Sequence, residues 1–289
     1  MTLQSVLPWI IRAHKEGWAV GAFNANTMEQ AQAIALAAQA EKAPAIIQIS
    51  HRALTYIGSG NEIRGLQYIA VIGKAAAESV SAPVSLHLDH GSERDVLQAL
   101  ALGFTSVMFD GDGFPMDENI AITKRLCEAA HSVDACMEAE VGEVPKPDGK
   151  ELNQADIELT DPDEAAEFAE ITGVDILAIA LGSVHGMKSK EVSLDLKRLE
   201  AIRAKVRQPL VLHGSSGVSD VDIKKGISLG LAKVNVATQM SAAFTGGIRG
   251  VLAKDSDVVD PRKYLTVGRD EQVAAVRERI RFLGASGKA

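Results

Sequence analysis

Histidines and carboxylates recur at the ends of short apolar runs. HLDHG puts His87, Asp89 and His90 at the end of one run, SVMFDG puts Asp110 at the end of the next, and MEAEVG carries Glu138 and Glu140. GSVHG then brings His185, LVLHG brings His213, and KVNVAT ends in Asn235 and Thr238. If these runs are strands converging on one rim, the residues share a pocket. His90, His185 and His213 would then be three imidazoles with a fourth position open, the donor set of a catalytic zinc ion. One such histidine alone reads as a satisfied rim residue. Three at strand ends, with carboxylates between them, read as a metal site. His87 lies two residues before Asp89, on the same strand face and deeper, which suits a residue that orients its neighbours. His14, His51 and His131 fall on helical or loop segments, although His51 directly follows the second run.

Asp89, next to His90, is placed to act as a general acid or base if the pocket raises its pKa; otherwise it orients a metal-bound histidine. His213 is followed by Gly214, Ser215, Ser216 and Gly217, with a helix expected from about Asp220. Small residues let backbone N–H groups approach an anion, and a following helix favours negative charge. A Gly-Ser turn alone is mostly a turn. Beside a candidate metal ligand it becomes a candidate phosphate cradle.

The elements that must position these groups are legible as alternation. Apolar runs lie at 19–25, 45–50, 84–89, 106–111, 136–141, 176–181, 209–214 and 233–238, with helix-period segments such as 28–42 and 162–173 between them. Asp161-Pro162 supplies an N-cap and an N1 proline. Eight such units predict an α/β protein, a (β/α)8 TIM barrel in one domain over 1–289, with a C-terminal helical extension. An open doubly wound sheet is the rival. The extension is expected as a helix from about 239, the segment DPRKYL (260–265), and an amphipathic helix near 269–283. One stretch breaks the rhythm: 142–160 is long, polar and rich in Pro and Gly, as a lid or binding loop would be.

Composition narrows the function. Apolar residues make up 46% and charged residues 24% of the 289, enough for a large core, and aromatics only 4%, which suits buried strands under Ala-rich helices. A net charge of −8 argues against a nucleic-acid or membrane surface while leaving room for a small anion in a local pocket. Cys127 and Cys136 lack metal or redox spacing, the N-terminal run is broken by Pro8, and no segment approaches a membrane span. The expectation is a cytoplasmic protein with reduced thiols.

HLDHGS, SVMFDG, MEAEVG, ALGSVHGM, LVLHGSSG and KVNVAT, in this order, resemble the class II (zinc-dependent) ketose-bisphosphate aldolases, which include fructose- and tagatose-bisphosphate aldolases. The tail from DPRKYL onward is also similar, so the resemblance covers nearly the whole chain. It implies a homodimer or homotetramer that cleaves a phosphorylated ketose to dihydroxyacetone phosphate and an aldehyde. It assigns zinc to His90, His185 and His213, a proton-donor role to Asp89, and a second or alternate cation to Asp110 and Glu140. It gives the dihydroxyacetone phosphate site to Gly186, Gly214, Ser215, Ser216, Asn235, Val236, Ala237 and Thr238, with Asn24 and Ser50 lining the same pocket. An arginine from the neighbouring subunit's tail contacts the far phosphate in such enzymes; Arg281 is the candidate here.

The chain departs from that pattern in places. Asp112 stands where the family has a hydroxyl residue, strengthening cation binding or rejecting a phosphate. The loop after the fifth run lacks the usual Gly-Gly-x-Glu-Asp; by count, Asp148 falls near its proton-transferring acid. Lys188 and Lys190 follow His185 where relatives have an aromatic residue. Ala237 resembles tagatose-type members. Three readings stay open: an aldolase of tagatose or fructose 1,6-bisphosphate, an aldolase of another ketose 1-phosphate, and a silent phosphosugar-binding relative. A metal-dependent barrel hydrolase would need an H-x-H pair on an early strand, which is absent.

Overall fold

The computed structural model describes residues 3–145, 158–187 and 192–289. Each expected apolar run overlaps a strand, β3 ending later and β8 starting earlier than expected: β1 Val20–Asn24, β2 Ala45–Ser50, β3 Val84–Gly91, β4 Ser106–Phe109, β5 Cys136–Val141, β6 Ile176–Ile179, β7 Leu210–Leu212 and β8 Leu231–Val236. All neighbours pair in parallel, and β1 also pairs with β8, so the sheet closes into a barrel. That closure excludes the open sheet. Ile46, Leu86, Val107, Leu177 and Val234 are fully or almost fully buried, as parallel strands covered by helices require.

The helices are α1 Leu7–Glu16, α2 Met28–Glu41, α3 His51–Ile57, α4 Glu62–Glu78, α5 Glu93–Ala101, α6 Met116–His131, α7 Pro162–Thr172, α8 Leu196–Lys205, α9 Asp220–Ser228, α10 Thr238–Lys254 and α11 Pro261–Phe282. Small side chains set their packing. Ala31, Ala35 and Ala38 of α2 are buried because α2 is covered on its outer side by α11 as well as by the barrel beneath. Helix α7 starts as expected: the Asp161 side chain accepts from the N–H groups of Asp163 and Glu164, with Pro162 at N1. DPRKYL differs from expectation. It is not a separate segment but the first turn of α11, where the Asp260 side chain caps the Arg262 N–H and Pro261 needs no N–H partner.

Three features fix the rim geometry. First, the β3–β4 register shifts between Leu88 and Gly91, and His90 sits there with φ +53°. Successive side chains normally alternate faces; the irregularity and the left-handed backbone let Asp89 and His90 serve one cavity. A non-glycine residue in that region is a strain that functional sites tolerate. Second, Gly214 has φ +63°, and a Cβ there would lie 2.9 Å from the Val184 backbone. Only glycine lets the end of β7 pack against the loop carrying His185. Third, the base of the 142–160 loop is tied down. Thr160 Oγ1 donates to the Val141 carbonyl and accepts from Ala180 N–H, and His185 N–H donates to the Pro145 carbonyl. Asp148, Lys188 and Lys190 lie outside the described residues. Cys127 and Cys136 are buried and free, and no helix among the described residues is long and apolar enough to cross a membrane.

Candidate active site

His90, at the end of β3, His185, after β6, and His213, after β7, converge at the strand C-terminal ends. One nitrogen from each lies within 4.8 Å of the others. The partners on the remaining nitrogens identify which atoms face inward. His90 Nδ1 is 2.9 Å from Asp110 Oδ2, leaving Nε2; His213 Nε2 is 2.9 Å from Glu138 Oε1, leaving Nδ1. His90 Nε2, His185 Nε2 and His213 Nδ1 are all buried without a hydrogen-bond partner among the described residues. Three orphaned buried nitrogens aimed at one point are costly unless something accepts their lone pairs. The donor set, three imidazoles each oriented from behind or packed in place, fits zinc.

The carboxylates stand around this trio, not inside it. Asp110 holds the far side of His90 and also accepts the Asp112 N–H, so Asp112 is placed by its backbone near the rim. Glu140 Oε2 lies 3.1 Å from His213 Nδ1 without hydrogen-bond geometry, so both atoms stay unsatisfied. Asp89 accepts from Asn235 Nδ2 at 3.2 Å and lies 4.0 Å from His90 Nε2.

Beneath the trio is a charged network that sequence reasoning missed. Lys233 is fully buried in β8, with Nζ 3.0 Å from Glu138 Oε1 and 2.7 Å from Oε2. Glu138 thus links Lys233 to His213. His87 bonds Ser106 Oγ at 2.8 Å and sits 3.8 Å from Glu138, outside the trio and facing the network. A lysine opening the last apolar run, two residues before Asn235, was the signal available; a strand covered on both faces has no place for an unpaired ammonium.

Burial and neighbouring charge move the protonation states in opposite directions. Burial opposes charge on His213, yet Glu138 and Glu140 raise its pKa to about 10. Burial and the nearby His213 and His90 lower His185 to about 4. Burial lowers His87 to about 3, with the Lys233 charge acting the same way. Burial pushes Asp89 upward, but His90, His213 and Lys233 pull it below its ordinary value. The condition that the pocket raises the Asp89 pKa is therefore not met. Asp89 rests as a carboxylate, the form that accepts a proton.

A cavity of about 300 Å³ opens at His90 and His185, with His213 fully buried beside them. Of the expected residues, Asn24, Ser50, Asp89, His90, Asp110, His185, Gly186, Gly214, Ser215, Ser216, Asn235, Ala237 and Thr238 line it. Ser215 Oγ donates to the Asn235 carbonyl, joining the turn after β7 to the end of β8. The small residues of the two segments form one wall, of the size and polarity that suit a phosphate.

His213 and Glu140 lie buried behind this lining, and two residues expected to bind substrate do not line the cavity either. Val236 points its buried side chain elsewhere and borders an adjoining hollow with Ser215, Ser216 and Arg279. Arg281 is at the opposite end of the barrel. Its guanidinium bonds Glu41, the last residue of α2, at 2.6 and 2.9 Å. The C-terminal end of α11 packs where strands begin, as the Ala19 N–H bond to the Leu283 carbonyl shows. Conversely, Gln48 and Arg52, which were not singled out, line the cavity, as does His51, noted only for following the second run. Their signal was position: they flank Ser50 at the end of the second run.

Comparison with known proteins agrees with this geometry. Residues 4–288 match the family model described as fructose-bisphosphate aldolase class-II. The chain belongs to the class II fructose-bisphosphate aldolase family. It is 40% identical over 290 residues to the fructose-bisphosphate aldolase of Geobacillus stearothermophilus, covering 100% of this chain and 99% of that one. It is also 40% identical over 290 residues to the fructose-bisphosphate aldolase of Staphylococcus epidermidis, covering 100% of each. Among solved structures it resembles the YdjI aldolase of Escherichia coli K12, with a TM-score of 0.84, 31% identity and 99% coverage of both chains. The expected family and barrel are thus borne out, and the chain is a member of a lyase family.

Proposed function

We propose that this chain is a zinc-dependent aldolase that reversibly cleaves a ketose 1,6-bisphosphate to dihydroxyacetone phosphate and an aldehyde phosphate, as a cytoplasmic homodimer or homotetramer. The observation that carries this reading is the trio of orphaned imidazole nitrogens beside Asp89 and a small-residue wall in one cavity. His90, His185 and His213 would hold the zinc. When bound there, it supplies Lewis acidity toward the carbonyl and hydroxyl oxygens of the substrate.

The chain's own residues do the rest. The turn Gly214–Ser216 and Gly186, with Asn235, Ala237 and Thr238, hold the phosphate at C1, fixing the distance from that phosphate to the reacting carbons. Asp89, kept ionised and oriented by Asn235, takes the proton from the C4 hydroxyl. The C3–C4 bond breaks, C4 becomes the aldehyde carbon, and the bonding electron pair stays with the C3 fragment as an enediolate. A proton returned to C3 completes dihydroxyacetone phosphate; we assign that transfer to Asp148. In condensation the same steps run backwards. Asp110 acts here by holding His90 and Glu140 by bordering His213, each also available to a second cation.

The names of the relatives favour fructose 1,6-bisphosphate as substrate, and Ala237 favours its C4 epimer, tagatose 1,6-bisphosphate. The test is release of dihydroxyacetone phosphate from both epimers and from several ketose 1-phosphates, with and without a chelator. Chelator-sensitive release from a 1,6-bisphosphate is expected, and the ratio of rates names the epimer. No release from any of them by zinc-loaded protein would overturn the reading.

A further inference from the structure

The small-residue wall has two faces. Ser215, Ser216, Ala237 and Thr238 line the main cavity on one side and a hollow of about 360 Å³ on the other. Small side chains with a space of that size behind them are not fixed there by close packing. Their positions depend on ties at the edges of the hollow. Ser215 Oγ donates to the Asn235 carbonyl, joining the turn after β7 to β8. The Gly217 carbonyl accepts from Val192 N–H, and a Cβ on Gly217 would lie 2.8 Å from the Met187 side chain. A third tie comes from the C-terminal extension. Arg279 Nη1 of α11 donates to Asp220 Oδ1 at 3.0 Å, and Asp220 opens α9 just after the turn 215–217.

Arg279 is placed more firmly than a surface ion pair requires. Its side chain is 6% exposed, borders the hollow, and stacks on Phe282 with Cζ 4.2 Å from the ring centroid. Its Nε is buried with no partner among the described residues. An exposed pair holds its members loosely, because both side chains keep their rotamer freedom. Burial and stacking remove that freedom from Arg279, so the half-exposed Asp220 is held from a fixed point. The same helix supports the other half of the wall. α10 starts at Thr238 and packs along α11, where a Cβ on Gly268 would lie 3.0 Å from the Phe244 carbonyl oxygen. Helix α11 therefore reaches the supports of both segments.

We propose that Arg279 is a positioning residue for the phosphate wall: acting through Asp220 and the start of α9, it sets the β7 turn against the β8 segment and thereby the affinity for the substrate's phosphate. The proposal rests on the reading of that wall as the phosphate site. Zinc-loaded wild type, Arg279→Met and Asp220→Asn are titrated by calorimetry with glycolohydroxamate, which chelates zinc and carries no phosphate, and with its phosphate ester. Wild type is expected to bind the ester more tightly than the parent compound. Both variants should lose about 10-fold of that gain, the scale of a charge-assisted hydrogen bond. They should bind the parent compound as wild type does, which a general loosening of the fold would not allow. Arg279→Lys, which keeps the charge and loses the planar fork, should recover part of the gain. Asp220→Asn alters a half-exposed side chain and carries the test if Arg279→Met does not fold. A phosphate gain equal to that of wild type in Asp220→Asn, or an equal weakening of both compounds, overturns the proposal and leaves the phosphate reading standing. Equal binding of ester and parent by wild type removes the phosphate reading of the wall, and the proposal with it.

Discussion

The two ends of this barrel treat buried polar groups in opposite ways. At the strand N-terminal end, Glu41 is nearly fully buried and saturated: Arg277 Nε, Arg281 Nε and Nη2, and Ser286 Oγ all donate to it. At the other end, His90 Nε2, His185 Nε2, His213 Nδ1, Glu140 Oε2, Gln48 Oε1 and Asn235 Oδ1 are buried with no partner among the described residues. His90 adds a left-handed backbone to the same end. An unsatisfied buried group costs about 1–3 kcal/mol, so such a concentration is sustained only where a ligand completes the bonds. Apart from His14 Nδ1, which is also unpartnered near the start of β8, one end is closed by the chain itself, and the other is left to be closed by what it binds.

That contrast breaks most sharply if a rim residue can be changed without losing the fold. Asp89→Asn should lower kcat by about 1000-fold, within the range for removal of a general base. The zinc content of the same preparation should match wild type, because Asp89 stands outside the histidine trio. A variant that loses its zinc together with its activity would place Asp89 among the ligands instead.

Lys233→Met tests whether the open end stands on a closed foundation. Removing the ammonium leaves the Glu138 carboxylate buried without its main counter-charge, and breaking such a pair costs about 3–5 kcal/mol. Urea unfolding should show a loss of that size. The double variant Lys233→Met/Glu138→Gln should regain a large part of it, since no charge is then stranded. Zinc affinity should fall in the double variant, because His213 Nε2 loses the carboxylate that orients it. Equal stability in the single and double variants would show that the pair is not coupled.

The sequence made the barrel legible because its strands are apolar runs of strand length separated by helix-period segments, and all eight closed as expected. The histidine trio was legible for a related reason: polar residues at the ends of such runs have one rim to share. What could not be read was sidedness within an element. Lys233 looks like any charged residue at a strand edge until the barrel closes over it. Gln48 precedes Ser50 on β2, and His51 and Arg52 follow it into a helix start, where spacing alone does not say which side chains face the cavity. Arg281 misled in the same way. It lies on the last turn of a basic amphipathic helix, and nothing in its neighbours in sequence shows that α11 ends over Glu41. Two residues earlier, Arg279 points toward the other side and reaches Asp220 at the start of α9, 3.0 Å away.

Arg281→Met is therefore the smallest effect expected and the one that separates the two ends most cleanly. Burial pushes the Glu41 pKa up, but Arg281, Arg277 and Ser286 bring it down to about 2 from an ordinary value of 4.5. A carboxylate with a folded-state pKa below its unfolded one stabilises the fold above the unfolded pKa. That contribution declines as the pH falls from about 4.5 towards about 2. Arg281 is itself 57% exposed, so its share is screened, on the order of 1 kcal/mol. Wild type should exceed Arg281→Met by that amount at pH 7, and the gap should narrow steadily below pH 4.5. Because the residue sits at the saturated end, KM for the bisphosphate should not move. A rise in KM with stability unchanged would mean that Arg281 leaves Glu41 and reaches the phosphate of a neighbouring subunit. The closed end of the barrel would then also belong to the site.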